Sequence, residues 1–425
     1  MFSRFLEPRV REILTDTPVL GLIGPRQSGK TTLAKQVSEP DRRYLTLDDP
    51  NLLAAARADP VGLIRNVDRM VIDEIQRAPD LMLAIKQSVD IDRRPGRFLL
   101  TASANILTAP RMRESMAGRI EIVTLLPLAY SERFAKVAGR PALEGQFLDR
   151  AFGGTLAGTI DGALDRDIIP NADALLGARL VDVVLTGGYP EAIARTSDRR
   201  RRDWFRAYAR AIVERDLPDL AVIARSAQLP QFLEALALLN GQLVNLTDLG
   251  ARIGVDRKTA ERYLSLIEQL FIVERLPAWS RSSLQRLVKT PKLHFVDSGL
   301  AAALRGTTAA SISPDRTAFG PLLETAVLSE LRKQAGWFDG PLRFSHYRDK
   351  DGVEVDVVLE NDRGQLVGIE IKASATVSAA DFSGLNRLRR ATKEFVCGCV
   401  LYDGTQTLAF GDGLHAVPIS RLWRG

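Results

Sequence analysis

Residues 24–31 read Gly-Pro-Arg-Gln-Ser-Gly-Lys-Thr, a spacing that suits the binding of phosphate groups. The two glycines let the backbone curl, so that its N–H groups and the start of the next helix can point at phosphates. Lys30 is placed to reach the β- and γ-phosphates of a nucleoside triphosphate, and the Thr31 hydroxyl is placed to ligate Mg²⁺. The predicted nucleotide-binding residues are Gly24, Pro25, Arg26, Gln27, Ser28, Gly29, Lys30, Thr31, Thr32 and, from a later strand, Thr101.

Two carboxylates, Asp73 and Glu74, follow the apolar run at residues 70–72. Asp73 is placed to hold Mg²⁺ together with Thr31, and Glu74 is placed to polarise a water molecule for attack on the γ-phosphate. An activated water favours hydrolysis over phosphoryl transfer to a small molecule, which needs a positioned acceptor. The alternative is an ordinary buried strand with a solvated acidic end, and the phosphate-binding pattern upstream argues against it.

Further groups along the chain could complete this site. Thr101 and Ser103 end an apolar run and could contact the γ-phosphate or the attacking water, because ligands bind at the carboxyl ends of strands in open α/β sheets. Arg119 is a candidate arginine finger, a cation that completes the site of a neighbouring subunit. The alternative is that Arg119 caps the C-terminus of a helix.

A second cluster of ionisable residues lies near the C-terminus. Alternation around a turn rich in Asn, Asp and Gly predicts a β-hairpin, with Glu354 and Asp356 on one face of its first strand and Glu370 and Lys372 on one face of its second. Glu324, near the start of a predicted helix, is a further acid. Asp356 and Glu370 suit Mg²⁺ or Mn²⁺, and Lys372 could orient or deprotonate a water or stabilise charge on a phosphate. The alternative is a solvated hairpin face with cross-strand ion pairs.

Two basic helix faces are candidates for contact with DNA. Residues 243–264 have the spacing of a helix-turn-helix, in which Thr247 is expected to cap the first helix and Asp256 the second. The predicted DNA-binding residues of the two faces are Arg257, Lys258, Arg262, Arg387, Arg389 and Arg390. Such modules also contact proteins, and basic runs are often only solvated helix faces.

Residues 18–134 resemble the AAA+ superfamily, and more closely a large prokaryotic group with the pattern GPRQxGKTTL, IDEIQ, LLTGS, LxGR and LxPLxxxE. This chain reads GPRQSGKTTL, IDEIQ, LLTAS, MAGR and LLPLAYSE, and it departs at Ala102, where the pattern usually has Gly. The resemblance implies ATP as the ligand and allows a homo-oligomer, a hexamer or smaller.

Residues 315–425 resemble the PD-(D/E)xK restriction-endonuclease-like fold, with Asp356 as the first acid and residues 370–372 as the second motif. Glu324 matches the helix Glu of the resolvase-like branch. The resemblance implies metal-dependent phosphodiester cleavage or a binding-only relic of the fold.

The helix-turn-helix resembles winged-helix domains. The whole order also looks like an ATPase family whose C-terminal half is a domain of unknown function, with TGGYPE at 186–191 and ERDL at 214–217 similar to its mid-chain motifs.

The expected fold class is α/β. We expect an AAA+ P-loop NTPase core at 1–134, a helical lid or connector at 135–235, a winged-helix-like domain at 236–312 and a restriction-endonuclease-like α/β domain at 313–425. In this reading the chain hydrolyses ATP, binds DNA and cuts its phosphodiesters with Mg²⁺ or Mn²⁺. The alternative is an ATP-driven switch that binds DNA or a protein without cutting, such as a regulator or a toxin–antitoxin-type component.

Composition agrees with a multi-domain globular chain, since 425 residues with 45% hydrophobic and 26% charged residues can form several cores. The net charge of +6 favours a polyanionic partner. Cys397 and Cys399 are expected to be buried and unbridged, and three scattered His residues argue against zinc. The absence of a signal peptide and of an apolar run of about 18 residues predicts a soluble, cytoplasmic protein without membrane contact.

Overall fold

The computed structural model of the chain describes residues 2–38, 42–105, 116–133, 146–156, 176–217, 226–282, 286, 289–313 and 316–423. The chain divides into two units. The N-terminal unit comprises Arg4–Leu128 with Ile267–Ile272, and the C-terminal unit comprises Met1–Ser3, Ala129–Leu266 and Val273–Gly425. The predicted domain boundaries after residues 134, 235 and 312 all fall within the C-terminal unit, and they stay predictions.

The N-terminal unit alternates helices and strands. Its helices are α1 (Glu7–Asp16), α2 (Lys30–Val37), α3 (Pro50–Ala58), α4 (Pro60–Ile64) and α5 (Leu81–Ile91). Its strands are β1 (Val19–Ile23), β2 (Arg43–Thr46), β3 (Met70–Asp73), β4 (Phe98–Ala102) and β5 (Ile120–Thr124).

The five strands form one parallel sheet in the order β2-β3-β4-β1-β5. β1 is buried along its whole length, because alternate residues enter two apolar cores on opposite faces of the sheet. Leu20 and Leu22 pack with residues of α1 and α2, whereas Val19 and Ile23 pack with residues of α3 to α5. The strands predicted near 19–23, 70–74 and 97–105 are confirmed as β1, β3 and β4, and their carboxyl ends meet at one edge.

The C-terminal unit contains more elements. Its helices are α6 (Phe147–Phe152), α7 (Ala178–Thr186), α8 (Pro190–Ile193), α9 (Asp198–Ala211), α10 (Leu229–Leu238), α11 (Leu246–Ile253), α12 (Arg257–Gln269), α13 (Ser298–Arg305), α14 (Ala309–Ile312), α15 (Gly320–Ala335) and α16 (Ser383–Ala391). Its strands are β6 (Gln242–Leu243), β7 (Val273–Leu276), β8 (Lys292–Phe295), β9 (Arg343–Arg348), β10 (Glu354–Glu360), β11 (Leu366–Lys372), β12 (Phe395–Tyr402), β13 (Leu408–Ala409) and β14 (Leu414–Pro418). The predicted lid includes residues that lie outside the described ranges.

Helices α11 and α12 occupy the predicted helix-turn-helix. Gly254 ends α11 in a left-handed conformation (φ 75°), and Asp256 accepts a hydrogen bond from the main-chain N–H of Thr259 at the start of α12. The expected cap at Thr247 is wrong. Asn245 caps α11 instead and accepts from the N–H groups of Thr247 and Asp248, because it directly precedes the first helical residue, whereas Thr247 already lies within the helix. Strands β6, β8 and β7 form a three-stranded antiparallel sheet.

Strands within residues 343–418 form a six-stranded mixed sheet in the order β13-β14-β12-β11-β10-β9. β10 and β11 form the predicted antiparallel hairpin, and β12 joins β11 in parallel. From α15 to β12 the element order is αβββαβ, as expected. Cys397 and Cys399 are buried and unbridged, which confirms their prediction. Among the described residues, we find no helix with the length and apolar character needed to cross a lipid bilayer.

Candidate functional site

The loop between β1 and α2 forms a tight cradle. Gly24 has a φ of 148°, and a Cβ at this position would lie 2.2 Å from the carbonyl oxygen of Leu125, so only glycine fits. Lys30 is buried, and its Nζ donates to the carbonyl oxygens of Gly24 at 2.9 Å and Pro25 at 2.8 Å. The loop is therefore folded around the ammonium group that is predicted to reach phosphates.

Asp73, at the end of β3, collects hydroxyl groups from three other elements. The Thr31 hydroxyl lies 3.1 Å from each carboxylate oxygen of Asp73, and the Tyr44 hydroxyl donates to Oδ2 at 2.8 Å. The Thr101 hydroxyl donates to Oδ1. Burial, and then the hydrogen bond to Asp73, raise the pKa of Tyr44 above its ordinary value, so the phenol stays a donor. Thr31 and Asp73 meet as predicted for a shared Mg²⁺ shell.

The Glu74 carboxylate has different partners from the Asp73 carboxylate. Its backbone is left-handed (φ 60°, ψ 45°), a conformation that is uncommon outside glycine and recurs at functional sites. Its N–H donates to the Thr101 hydroxyl at 3.1 Å, and its Oε1 accepts from the Ser103 hydroxyl at 2.8 Å. Gln76 donates to its other carboxylate oxygen. The strained turn therefore aims the carboxylate away from Asp73 and towards the end of β4.

The residues present fit a nucleotide with Mg²⁺. The Ser28 hydroxyl oxygen is fully buried in the loop and has no hydrogen-bond partner among the described residues. The Thr31 hydroxyl and the Asp73 carboxylate are the hard oxygen donors that Mg²⁺ prefers. Arg26, Gln27 and Thr32 are at least partly accessible around the same loop.

Arg119 forms an ion pair within its own unit. Its Nε lies 2.6 Å from Asp90 Oδ1, and Nη1 donates to the carbonyl oxygen of Ala117. The hydrogen bond from Arg119 is the main cause that lowers the pKa of Asp90. A role for Arg119 in a neighbouring subunit stays a prediction.

The acids predicted near the C-terminus lie around a lysine that sequence reasoning missed. Lys292 Nζ lies 3.1 Å from Asp356 Oδ1, 3.5 Å from Glu354 Oε2 and 3.7 Å from Glu324 Oε2. The Lys292 side chain is only 5% exposed. The other oxygen of Asp356 accepts from the main-chain N–H of Ile371 at 2.9 Å.

Glu370 and Lys372 extend this cluster along β11. Lys372 Nζ lies 2.9 Å from Glu370 Oε1, and both side chains interact electrostatically with Asp356. Burial, and then the nearby Asp356 carboxylate, raise the pKa values of Glu370 and Glu324. Burial opposes the charge on Lys292, but the surrounding carboxylates raise its pKa overall. The cluster therefore keeps a charged amine among crowded acids.

As arranged, this cluster does not fit a divalent ion. The ammonium of Lys292 already neutralises Asp356, the first predicted metal ligand, and it lies within ion-pair distance of two more carboxylates. Within the described ranges, no group of three or more His, Cys, Asp or Glu side chains is arranged to hold a metal. Metal binding by Asp356 and Glu370 stays a prediction.

The predicted DNA-binding residues differ in their surroundings. Arg257 and Lys258 are exposed at the start of α12, and Arg262 is exposed one turn later. On α16, Arg390 is exposed. Arg387, by contrast, is held by acids, with its Nη1 3.0 Å from Asp349 and 2.8 Å from Asp351. Arg389 donates to the carbonyl oxygen of Asp412 and to Asn386.

Three family models match this chain. Residues 16–134 match an AAA domain, and the match agrees with the phosphate-binding loop and the parallel sheet. The N-terminal part is an AAA-type ATPase domain. Residues 177–311 and 319–422 match two domains of unknown function, DUF8612 and DUF4143.

The chain is also similar to two mycobacterial proteins and to two solved structures. Over 418 residues it is 28% identical to uncharacterized proteins Mb2031c of Mycobacterium bovis and Rv2008c of Mycobacterium tuberculosis, covering 97% of this chain and 83% of theirs. Two variants of RuvB from Thermotoga maritima are 18% identical over 64% and 65% of this chain and 86% and 91% of theirs, with TM-scores of 0.25 and 0.29. TM-scores this low support no inference about function.

Outside the AAA-domain motifs, sequence reasoning missed several residues that build the sites. Lys292 had one available signal, a charged residue inside the short apolar strand 292–295. Arg4 had none, although its guanidinium donates to the carbonyl oxygens of Ser28 and Leu126, each at 2.7 Å, and so fixes the phosphate-binding loop.

The mid-chain motif at 186–191 has a structural role in the described residues. Asp297 accepts from the N–H of Gly188 at 2.6 Å and from the N–H of Leu300 at 3.0 Å, which joins the turn after α7 to the start of α13. A Cβ on Gly187 would lie 2.2 Å from Asp297 Oδ1. The glycine is therefore required by the close approach of a buried carboxylate.

Proposed function

We propose that the AAA domain binds ATP with Mg²⁺ and hydrolyses it, with Glu74 activating the attacking water. One observation carries the proposal. Asp73 contacts the Thr31 hydroxyl at 3.1 Å, while the adjacent Glu74 is held by Ser103 at 2.8 Å. Two neighbouring carboxylates thus have separate partners, one suited to a metal ion and the other to a water.

Each residue has a distinct role in the proposed reaction. Lys30 would exchange the carbonyl oxygens of the loop for phosphate oxygens, and Thr31 and Asp73 would hold Mg²⁺. When bound, the ion would offset negative charge on the phosphates. Glu74 would accept a proton from the water as the water attacks the γ-phosphorus, while the bond from that phosphorus to the β–γ bridging oxygen breaks and ADP leaves. Thr101 would keep both residues in place, because it hydrogen-bonds to the Asp73 carboxylate and to the main-chain N–H of Glu74.

Two substitutions separate ATP binding from hydrolysis. We expect Lys30→Ala to lose ATP binding, and Glu74→Gln to keep ATP bound while hydrolysis slows by roughly 10²- to 10⁴-fold, the usual contribution of a general base. Binding of a fluorescent nucleotide and single-turnover phosphate release measure the two effects, with the exposed Glu12→Gln as control. Hydrolysis at the wild-type rate in Glu74→Gln would remove Glu74 from this role.

For the C-terminal unit we propose contact with DNA. The order α10-β6-α11-α12-β7-β8 supports a winged-helix arrangement, in which the start of the second helix of the helix-turn-helix reads DNA. Arg257 and Lys258 are exposed at that helix start. The net charge of +6 is consistent with a polyanionic partner.

Cleavage of DNA phosphodiesters with Mg²⁺ or Mn²⁺ is the second candidate function. The gathering of Glu324, Asp356, Glu370 and Lys372 on the αβββαβ framework favours it. The ammonium of Lys292 favours the alternative, an ATP-driven switch that binds DNA or a protein without cutting.

Incubation with plasmid, branched and single-stranded DNA, with and without Mn²⁺ and ATP, tests these candidates. If the chain cuts DNA, Asp356→Ala and Lys372→Ala should abolish cleavage while ATP hydrolysis continues, because the two sites belong to different units. If the wild-type protein binds DNA but cuts none of these substrates, the switch is the better description.

A further inference from the structure

Lys292 is unusual in its place in the fold. It begins β8, the central strand of the three-stranded sheet, where an apolar residue would be expected. Its neighbours along the strand, Leu293 and Phe295, are fully buried or nearly so. A lysine is rarely buried to this degree unless it is paired.

The partners of Lys292 come from two other elements. Asp356 and Glu354 extend from one face of β10, and Glu324 lies in the first turns of α15. Their three carboxylates surround the single amine at 3.1, 3.5 and 3.7 Å. Arg348 shares only the outermost of them, Glu354, at 3.7 Å.

The cluster has more carboxylate oxygens than local donors can satisfy. Glu370 Oε2 is buried and has no hydrogen-bond partner within the described part of the chain. Carboxylates crowded together in a buried site are stabilised by a cation or by taking up a proton, because unpaired buried charges are costly. In this structure the cation nearest to Asp356 is supplied by the chain itself.

We propose that Lys292 is the resident cation of this cluster and that its ammonium keeps divalent ions out of the DNA-free protein. The inference rests on the second candidate function only in taking Asp356 and Glu370 as the acids that would hold a metal. An ammonium 3.1 Å from Asp356 Oδ1 occupies the space in which a divalent ion would have to contact that oxygen. The ion would also meet the repulsion of a buried positive charge.

Binding of Mn²⁺ to the full chain, without nucleotide or DNA, tests the proposal by electron paramagnetic resonance. The wild type should bind Mn²⁺ at the cluster only weakly. Lys292→Met keeps an unbranched side chain only one atom shorter and removes its charge, so Mn²⁺ should bind roughly 10- to 100-fold more tightly, the range found when a supporting group at a metal site is changed. Lys292→Met/Asp356→Asn should lose that ion again, which locates it.

Two further variants separate charge from folding. Lys292→Arg keeps a cation and should exclude Mn²⁺ as the wild type does. Lys289→Met, at an exposed lysine three residues away that donates to the carbonyl oxygen of Arg348, should also behave as the wild type. Without metal, Lys292→Met should melt at a lower temperature than Lys289→Met. Added Mn²⁺ should raise the melting temperature of Lys292→Met and leave that of Lys289→Met unchanged.

The possible outcomes are distinct. Equal Mn²⁺ affinity in the wild type and Lys292→Met would overturn the proposal, and so would no binding by either. If Lys292→Met binds Mn²⁺ but no DNA is cut, the proposed cleavage function is wrong, whereas the role of Lys292 as resident cation is supported. If the wild type binds Mn²⁺ at Asp356 and cuts DNA, the proposed cleavage function is supported, whereas the role of Lys292 in excluding metal is wrong.

Discussion

Single hydroxyl groups determine how the two acids of the AAA domain are separated. Thr101 donates to Asp73 and accepts from the N–H of Glu74, so one side chain fixes both residues. The Ser103 hydroxyl donates to the Glu74 carboxylate. These two hydroxyls lie two residues apart at the end of one strand. Removing each of them should therefore affect stability and the rate of hydrolysis differently.

Replacing Thr101 with Val should lower both stability and turnover. The substitution keeps the shape but leaves the N–H of Glu74 without its acceptor, which costs about 1–3 kcal/mol. Ser103→Ala should slow hydrolysis with less than about 1 kcal/mol of destabilisation, since it leaves the backbone bonded. Urea unfolding and single-turnover hydrolysis measure the pair. Equal stability losses in both variants would contradict this assignment.

Gly187 allows a second test at the residue scale. Gly187→Ala should destabilise the chain by more than about 3 kcal/mol, because its Cβ would collide with Asp297 and its backbone (φ 66°, ψ −166°) lies in a region open almost only to glycine. Gly306→Ala is the control, with a φ of 72° and nothing within 4 Å of the added Cβ, and should cost only about 1–2 kcal/mol. Denaturant unfolding of both variants gives the comparison, and similar losses would rule out the collision.

Local motifs made the geometry of the candidate nucleotide site predictable, because Asp73, Glu74 and Thr101 lie at the ends of strands whose apolar runs are continuous. The hairpin and its acids were predictable for a different reason, because alternation fixes which side chains share a face. Lys292 and Arg4 were not, because each reaches its partners across long stretches of sequence, 64 residues to Asp356 and 24 to Ser28. The cap was predicted at Thr247 and not at Asn245 because the hydrophobic pattern defines the buried face of a helix but not its first residue.

At the scale of elements, the basic residues of α12 and α16 differ in exposure and in ion pairing. Arg387 on α16 is neutralised by Asp349 and Asp351, so it has less charge to offer a phosphate. Arg257 and Lys258 on α12 are exposed, as are Arg206 and Arg210 on α9. DNA contact through α12 therefore depends on where these charges lie and not on net charge alone.

Neutralising the start of α12 should weaken DNA binding and change its salt dependence. In Arg257→Gln/Lys258→Gln, the slope of log K against log[salt] should become shallower by about 1 for each phosphate that α12 no longer neutralises. The matched control Arg206→Gln/Arg210→Gln removes the same charge from α9 and should leave the slope near that of the wild type. Fluorescence anisotropy between low and moderate salt measures the slopes. Identical changes in both variants would show that the charge acts without regard to position.

At the scale of the whole molecule, the position of Arg119 raises the question of assembly. A residue that completes a neighbour's site must be able to leave its own partner, and Arg119 pairs with Asp90, whose side chain is 38% exposed. Exposed ion pairs contribute little to stability, so exchanging Asp90 for a phosphate in another subunit would cost little. This makes a homo-oligomer, a hexamer or smaller, a testable proposal.

If Arg119 acts in a neighbouring subunit, ATPase activity per chain should rise with protein concentration. Arg119→Ala should bind ATP but hydrolyse it roughly 10³-fold more slowly or worse, the range for loss of an arginine finger. Mixing Arg119→Ala with Glu74→Gln should then restore part of the activity, because some interfaces combine an intact Glu74 with an intact Arg119. Arg93→Ala, which removes an exposed arginine 3.8 Å from the same Asp90, is the control and should keep full activity. A fully active monomer whose rate per chain is independent of concentration would exclude the role, since no neighbour would then be present to supply the cation.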